Sequence, residues 1–396
     1  MPRQERALVA VARVRDPEAD RGGVKAETRV PLSRPYIGER EEEAVLDVLR
    51  SGRLSLGPTI ERFEELFAEQ VGAPYAAAVS SGTAGLHMLC HIAGVEDGDE
   101  VITSPLSFVA TANCFILEGG RPVFADVDAQ TLNLDPEAVE AAITERTKGI
   151  VAVDMFGFPC ELDELRAIAE RHGLWIIDDS CEALGAEYKG RQIGSQGISG
   201  AFGFYPNKQI TTGEGGMVTT HSEEEWELLK SLRNQGRSYE SRWFHHVRLG
   251  FNYRFTDLQA ALGIVQLEKL DEILRLRSEA AARYGDLLAS LEGIETPHQD
   301  DADHKRSWFV YVTKLAPARD RETVLASLAG EGIEAAHYVP CVHLQPYMRE
   351  RYGFAEGVCP VAEDASDRSL ALPFFTGIEA AEQELVVDAL SRVIAR

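Results

Sequence analysis

One lysine stands where an amine can do chemistry. The run Ala201-Phe202-Gly203-Phe204-Tyr205-Pro206-Asn207-Lys208 reads as a short aromatic strand leading to Lys208, and the glycine-rich turn Thr212-Gly213-Glu214-Gly215-Gly216 follows. An amine held at a strand end, partly out of water, loses its proton at modest cost and attacks an aldehyde. Most lysines are solvated surface charges, so this one needs support from elsewhere in the chain. In Val79-Ser80-Ser81-Gly82-Thr83-Ala84-Gly85-Leu86, an apolar strand runs into a small-residue turn. A helical pattern follows, with Leu86, Leu89 and Ala93 on one face. Ser81 can cap that helix, Gly82 lets the backbone approach a ligand, and the free N–H groups of a helix start attract an anion. In Leu174-Trp175-Ile176-Ile177-Asp178-Asp179, an apolar strand ends in two acids, at the sheet edge where open α/β folds bind ligands. Taken singly, the first segment is an ordinary capped helix and the second a pair of turn-capping acids. Together with Lys208 they imply pyridoxal 5'-phosphate (PLP). The lysine would form the Schiff base, the helix start would hold the phosphate, and one of Asp178 and Asp179 would face the pyridine nitrogen.

The same segments, with others, resemble the DegT/DnrJ/EryC1/StrS sugar aminotransferases, a branch of the fold-type I PLP enzymes. The likeness runs from about Pro31 to the C-terminus. It rests on Ser81-Gly82-Thr83-Ala84, on Ser107-Phe108-Val109-Ala110-Thr111-Ala112-Asn113, on the acid-rich strand end with Ala183-Leu184-Gly185-Ala186, and on the Lys208 loop. Arg233-Asn234-Gln235-Gly236, Leu249-Gly250-Phe251-Asn252-Tyr253-Arg254 and His343-Leu344-Gln345-Pro346-Tyr347 complete it. Within the family the look is that of perosamine-synthase-like nucleotide-sugar 4-aminotransferases. The resemblance implies that Lys208 carries the cofactor and moves the proton between cofactor and substrate carbons. It implies Asp179 at the pyridine nitrogen, Gly82 and Thr83 at the phosphate, and Phe108 stacked on the ring. Asn252 would reach the phosphate of a neighbouring subunit's cofactor, so a homodimer with a shared site is implied. Arg254 and His343 become candidates for the nucleotide-sugar phosphates and the sugar.

The chain departs from the family pattern twice. Gly203 stands where a serine hydroxyl usually helps bind phosphate, which removes a donor worth on the order of 1 kcal/mol. Glu182 stands where Gln or His is usual. A carboxylate beside the cofactor's phenolic oxygen repels it unless protonated or turned away, so Glu182 is expected near the cofactor with its contact open. Family members with histidine at the lysine position dehydrate rather than aminate; Lys208 points to transamination.

Composition narrows the partners. The chain has 396 residues, enough for one two-domain subunit with a large core. Its formal net charge is −24, which argues against nucleic-acid and anionic-membrane binding. A nucleotide-sugar is itself an anion, so its site must be locally basic; Arg233, Arg237, Arg242, Arg248 and Arg254 cluster in the sequence where this is needed. The six cysteines have no metal or redox spacing, so no metal site and a reducing cytoplasm are expected. The run Ala7-Leu8-Val9-Ala10-Val11-Ala12 is too short for a secretory core.

Apolar runs at 76–79, 100–103, 122–125, 149–153, 174–178, 200–204 and 217–220 alternate with amphipathic stretches such as 162–172. This predicts an α/β fold: a mostly parallel central sheet with helices on both faces, plus a smaller α+β C-terminal domain. The expected units are a disordered or arm-like leader (1–29), a large PLP-binding domain (30–255) and a small domain (256–396). A helix is expected over 38–52, a single long helix over 256–291, a strand over 308–315, a helix over 321–330, and a further strand from Gly332.

The expected reaction moves an amino group from L-glutamate to a keto nucleotide-sugar, most simply of the 4-keto-6-deoxy type. Three rivals are a keto-cyclitol aminotransferase, a non-catalytic PLP-fold regulator, and a PLP lyase or desulfurase. The regulator needs a damaged site. The lyase needs a mobile cysteine, for which Cys181 or Cys341 would have to serve.

Overall fold

The computed structural model describes residues 28–238, 245–317 and 319–395. Most of the expected leader, and Arg242, lie outside the described residues. Among the described residues, thirteen strands follow in chain order: β1 (Tyr75–Val79), β2 (Glu100–Thr103), β3 (Arg121–Phe124), β4 (Thr147–Val153), β5 (Trp175–Asp179), β6 (Glu187–Tyr188), β7 (Arg191–Gln192), β8 (Ser199–Gly203), β9 (Gly216–Thr220), β10 (Ile294–Glu295), β11 (His304–Lys305), β12 (Tyr311–Leu315) and β13 (Ser369–Leu372). Seven of them form the central sheet, in the order β1-β9-β8-β5-β4-β2-β3. The pairings from β8 through β5, β4 and β2 to β3 are parallel, and β9 runs antiparallel to both neighbours. This is the mostly parallel sheet the alternation predicted, and each predicted strand of that sheet is present.

Helices cover both faces, as parallel strands with apolar residues on each side require. On one face, Phe63 and Phe67 of the helix Pro58–Val71 meet Phe202, Phe204 and Phe255. All five rings are nearly or fully buried. Phe202 and Phe204 belong to the run that leads to Lys208, so this cluster anchors that run; truncating one such ring costs roughly 3–5 kcal/mol. The helix Asp257–Glu268 packs here through Gly263, where a Cβ would stand 2.7 Å from the Phe63 ring. The opposite face is packed by the helices Gly82–Ile92 and Ala110–Ile116, which share an apolar cluster with β1, β2 and β4.

The remainder is smaller and mixed. β10, β12 and β13 form a three-stranded antiparallel sheet. The helices Leu270–Leu288, Arg321–Gly330 and Ala380–Ile394 share its core. β11 pairs with β6 and so ties this region to the segment that follows β5.

Two expectations change. The single long helix over 256–291 is two helices, Asp257–Glu268 and Leu270–Leu288, broken at Lys269 (φ −97°, ψ 0°). Two requirements meet there. The first helix packs on the phenylalanine cluster and the second on the small sheet, while the Lys269 ammonium pairs at 2.7 Å with the buried carboxylate of Glu41. Nor does Gly332 open a strand. Ile333 makes one parallel bridge to Val30, and Ala336 one antiparallel bridge to Ala371. The chain continues into no further ladder there. The first helix is Glu39–Ser51, bounded by Gly38 and Gly52, with Gly52 in the left-handed region at φ 72°.

Candidate active site

The carboxyl ends of the central strands open on a cavity of about 530 Å³. Ser81, Gly82, Thr83, Phe108, Asp179, Glu182 and Lys208 all line it. These residues lie as far as 127 positions apart (208 − 81), and the parallel sheet brings them to one edge.

The anion end is built by β1 and the helix Gly82–Ile92. Ser81 is extended (φ −166°) and its Oγ accepts the Ala84 N–H at 3.1 Å, so the expected cap forms. The first N–H groups of a helix have no intrahelical acceptor and present positive charge, and here they belong to cavity-lining residues. A Cβ at position 82 would stand 2.5 Å from Cys181 Sγ, and that close approach is what requires glycine.

The acid end belongs to β5. Successive residues of a strand point to opposite faces, so only one of the two aspartates can reach the cavity, and it is Asp179. Its Oδ2 accepts the Thr111 hydroxyl at 2.6 Å, and Thr111 accepts Ser107 in turn at 2.5 Å. Oδ1 takes the Cys181 N–H at 3.3 Å. Asp179 is 6% exposed, and these donors fix the orientation of its carboxylate. Asp178 projects to the far side among Asp154 and Cys160. There burial pushes its carboxyl up to about 7.

Lys208 follows β8. The loop is pinned by Phe204 N–H to Gly215 O (3.0 Å), Thr212 N–H to Phe204 O (3.0 Å) and Lys208 N–H to Tyr205 O (2.9 Å). Nζ lies 3.4 Å from Glu182 Oε1 and 3.8 Å from the Phe309 ring centroid, with the side chain 15% exposed. Glu182 is turned toward the lysine rather than held in isolation. Its Oε2 accepts the Phe156 N–H at 2.9 Å, and burial raises its proton affinity above the ordinary carboxylate range. Phe108 is 68% exposed on the cavity rim.

The other named residues lie elsewhere. Asn252 is exposed, outside this cavity, with its backbone bridged to Asn234. Arg254 donates to Asn234 Oδ1 at 3.2 Å and lines a second cavity, of about 240 Å³, with Arg233 and Arg237. Arg233 is already paired with Glu64. Arg248 is exposed. His343 is fully buried, bonded to Glu363 at 3.0 Å and packed near Phe124 and Phe354. Its imidazole therefore offers no surface to a sugar in this chain. Thr111, through Asp179, and Tyr338 and Cys181, on the cavity wall, also shape the site without having been among the expected site residues. The lone buried hydroxyl of Thr111 on the otherwise largely apolar helix Ala110–Ile116 was the one available signal.

The donor set fits PLP: a glycine-bounded helix start for a phosphate, a hydrogen-bonded carboxylate for a ring nitrogen, and an amine for an aldehyde. Similarity to known proteins agrees. The DegT/DnrJ/EryC1/StrS aminotransferase family matches residues 35–391. The spore coat polysaccharide biosynthesis protein SpsC of Bacillus subtilis is 39% identical over 379 residues, covering 92% of this chain and 97% of that protein. DesV of S. venezuelae superposes with a TM-score of 0.85 at 35% identity, covering 90% of this chain and 94% of DesV. Helicobacter pylori PseC, an aminotransferase involved in the biosynthesis of pseudoaminic acid, superposes at 0.88 with 30% identity, covering 93% of this chain and all of PseC. The chain belongs to the DegT/DnrJ/EryC1/StrS family of sugar aminotransferases and is a PLP-dependent aminotransferase.

Proposed function

We propose that this aminotransferase moves the amino group of L-glutamate to the keto carbon of a nucleotide-linked deoxysugar, most simply a 4-keto-6-deoxy sugar. The observation that carries the proposal is the convergence of Lys208 Nζ, the Asp179 carboxylate and the Gly82–Thr83 helix start on one cavity. Bound PLP supplies an electron sink for negative charge on the substrate carbon next to nitrogen. The chain supplies the rest. Gly82 and Thr83 hold the phosphate with backbone N–H groups. Asp179, oriented by Thr111, would hold a proton on the ring nitrogen. Phe108 covers one ring face. Lys208 Nζ would be the amine that holds the cofactor's aldehyde carbon and, as a free amine, the base that would move a proton between donor and cofactor carbons. Burial raises the proton affinity of Glu182, a shift in the direction that weakens its repulsion of the phenolic oxygen. That reconciles the residue with its place beside Lys208.

Charge supports this substrate class. On a chain of net charge −24, three arginines (Arg233, Arg237 and Arg254) line one cavity. A locally basic wall on an acidic protein suits a diphosphate-bearing ligand. Asn252 lies exposed and outside its own chain's cavity, as a residue serving a second subunit must. Phe108, Leu117, Tyr205 and Leu249 are each more than half exposed, which favours coverage by another subunit. We therefore assign a homodimer with shared sites. Among the described residues, no helix is long and apolar enough to cross a membrane.

The test pairs two half-reactions. Purified protein with cofactor should change its visible spectrum with L-glutamate, then revert with a keto nucleotide-sugar but not with a keto-inositol. Lys208→Ala should lose both the resting visible band and turnover. Reversion by the keto-inositol alone would replace the proposed substrate with a cyclitol.

A further inference from the structure

Two guanidinium groups are buried near the junction of the large and small sheets, and they are satisfied very differently. Arg277 (2% exposed) donates to Trp308 O at 2.8 Å, Phe309 O at 2.7 Å and Thr376 Oγ1 at 3.0 Å. Arg306 (5% exposed) has only long contacts, both at 3.4 Å, to the carbonyls of Phe156 and His298. Its Nε has no hydrogen-bond partner. Its guanidinium lies 4.8 Å from the Phe158 ring centroid and 5.0 Å from that of Trp308. Among the described residues no carboxylate comes within ion-pairing distance of it. Aromatic faces return roughly 0.5–2 kcal/mol to a cation, well short of what removing a charge from water costs.

Arg306 lines a cavity of about 210 Å³ between the loop 130–132 and the segment 295–298. That is several times the roughly 30 Å³ a water molecule occupies. The other ionisable groups on its wall are His298, Lys314 and Glu295. Glu295 is already held by Arg368 at 2.7 Å and Lys314 at 3.2 Å. Asp300 takes the backbone N–H of Arg306 at 3.0 Å and is itself exposed. Arg306 and Lys314 share the wall with one carboxylate, Glu295, and the negative charge that acts on the buried Arg306 is that of the exposed Asp300.

We propose that this cavity is a second anion site, separate from the Lys208 cavity, and that it binds a small carboxylate on the Arg306 guanidinium with the Lys314 ammonium beside it. A carboxylate matches the planar fork of donors that the carbonyls fail to satisfy. The site is joined to the active site by one residue: Phe156 offers its carbonyl to Arg306 and its N–H to Glu182, the partner of Lys208.

The probe is malonate, and the readout is the thermal midpoint of the full-length protein with its cofactor, at constant ionic strength. Malonate should raise the midpoint in a saturable way, while malonamide should not, and inorganic phosphate should act at least tenfold more weakly. Arg306→Met should abolish the rise. Lys314→Met, a change at a partly exposed side chain, should weaken it at least threefold should Arg306→Met fail to fold. An undiminished rise in both variants would place the anion elsewhere, including the Lys208 cavity, and overturn the proposal. So would no rise at all, or equal action by phosphate.

Discussion

Asp178 and Asp179 are neighbours on β5 and both are at most 6% exposed, yet the strand turns them to opposite faces with different surroundings. On the front, Asp179 meets Thr111 at 2.6 Å and opens on the cavity that also holds Lys208. On the back, Asp178 joins Asp154 and Cys160, their polar atoms within 4.8 Å of one another, and both carboxylates keep one oxygen unpaired. Burial and the neighbouring negative charge push Asp154 well above the carboxylate range. Two like charges so close in a dry interior cannot both ionise. Burial of an acid does not by itself make a site. Hydrogen-bond donors that stabilise the charge, and an open route to a ligand, do.

The comparison can be broken by substitution, and the largest effect belongs on the front. Asp179→Asn keeps the shape and removes the charge, so turnover should fall about 10²–10⁴-fold, as steady-state kinetics would show. Retained turnover would mean that the ring nitrogen has another partner. Gly82→Ala drives a methyl group against Cys181 Sγ, so the dissociation constant for PLP, measured by absorbance titration, should rise at least about tenfold. Thr111→Val leaves the carboxylate in place without its donor; a loss of about 1–2 kcal/mol should appear as a roughly tenfold drop in kcat with little change in KM.

The smallest effect on activity belongs on the back, and it carries a pH signature. Asp178 holds its proton up to about 7 in the native protein, whereas an unfolded aspartate releases it near about 4. Between those values the native state binds the extra proton, so stability falls as pH rises through the window. Asp178→Asn should therefore change turnover less than about threefold. Its stability advantage over the parent should grow from pH 4 to pH 7 and reach on the order of 1–4 kcal/mol by denaturant titration. A constant difference across that range would show that Asp178 is ionised throughout.

The sequence made the front of the site legible because its parts are local. Ser81 caps its own helix, Lys208 ends its own strand run, and Asp179 ends its own apolar strand. The sheet itself was readable from seven apolar runs. What could not be read depends on distant packing. Alternation says that the two aspartates diverge without saying which one faces a ligand; the family resemblance implied Asp179, and the assembled sheet puts Asp179 on the cavity. Tyr338 reaches the cavity from 130 residues beyond Lys208 (338 − 208), with no local mark of its role. Glu182 looked like an electrostatic misfit because its partners, the Phe156 N–H and Lys208, are set by the fold. The break at Lys269 is fixed by a buried carboxylate 228 residues earlier (269 − 41). For His343 the sequence showed a histidine in a promising loop, but not the Glu363 carboxylate and aromatic walls that enclose it.

The central claim is that the nitrogen of Lys208 bears the cofactor. Borohydride reduction of the cofactor-loaded protein, followed by peptide mapping in a mass spectrometer, tests it at one atom. The account predicts a stable phosphopyridoxyl label on the peptide containing Lys208 and on no other lysine. A label on a different lysine, or an unlabelled protein that still transaminates, would contradict it.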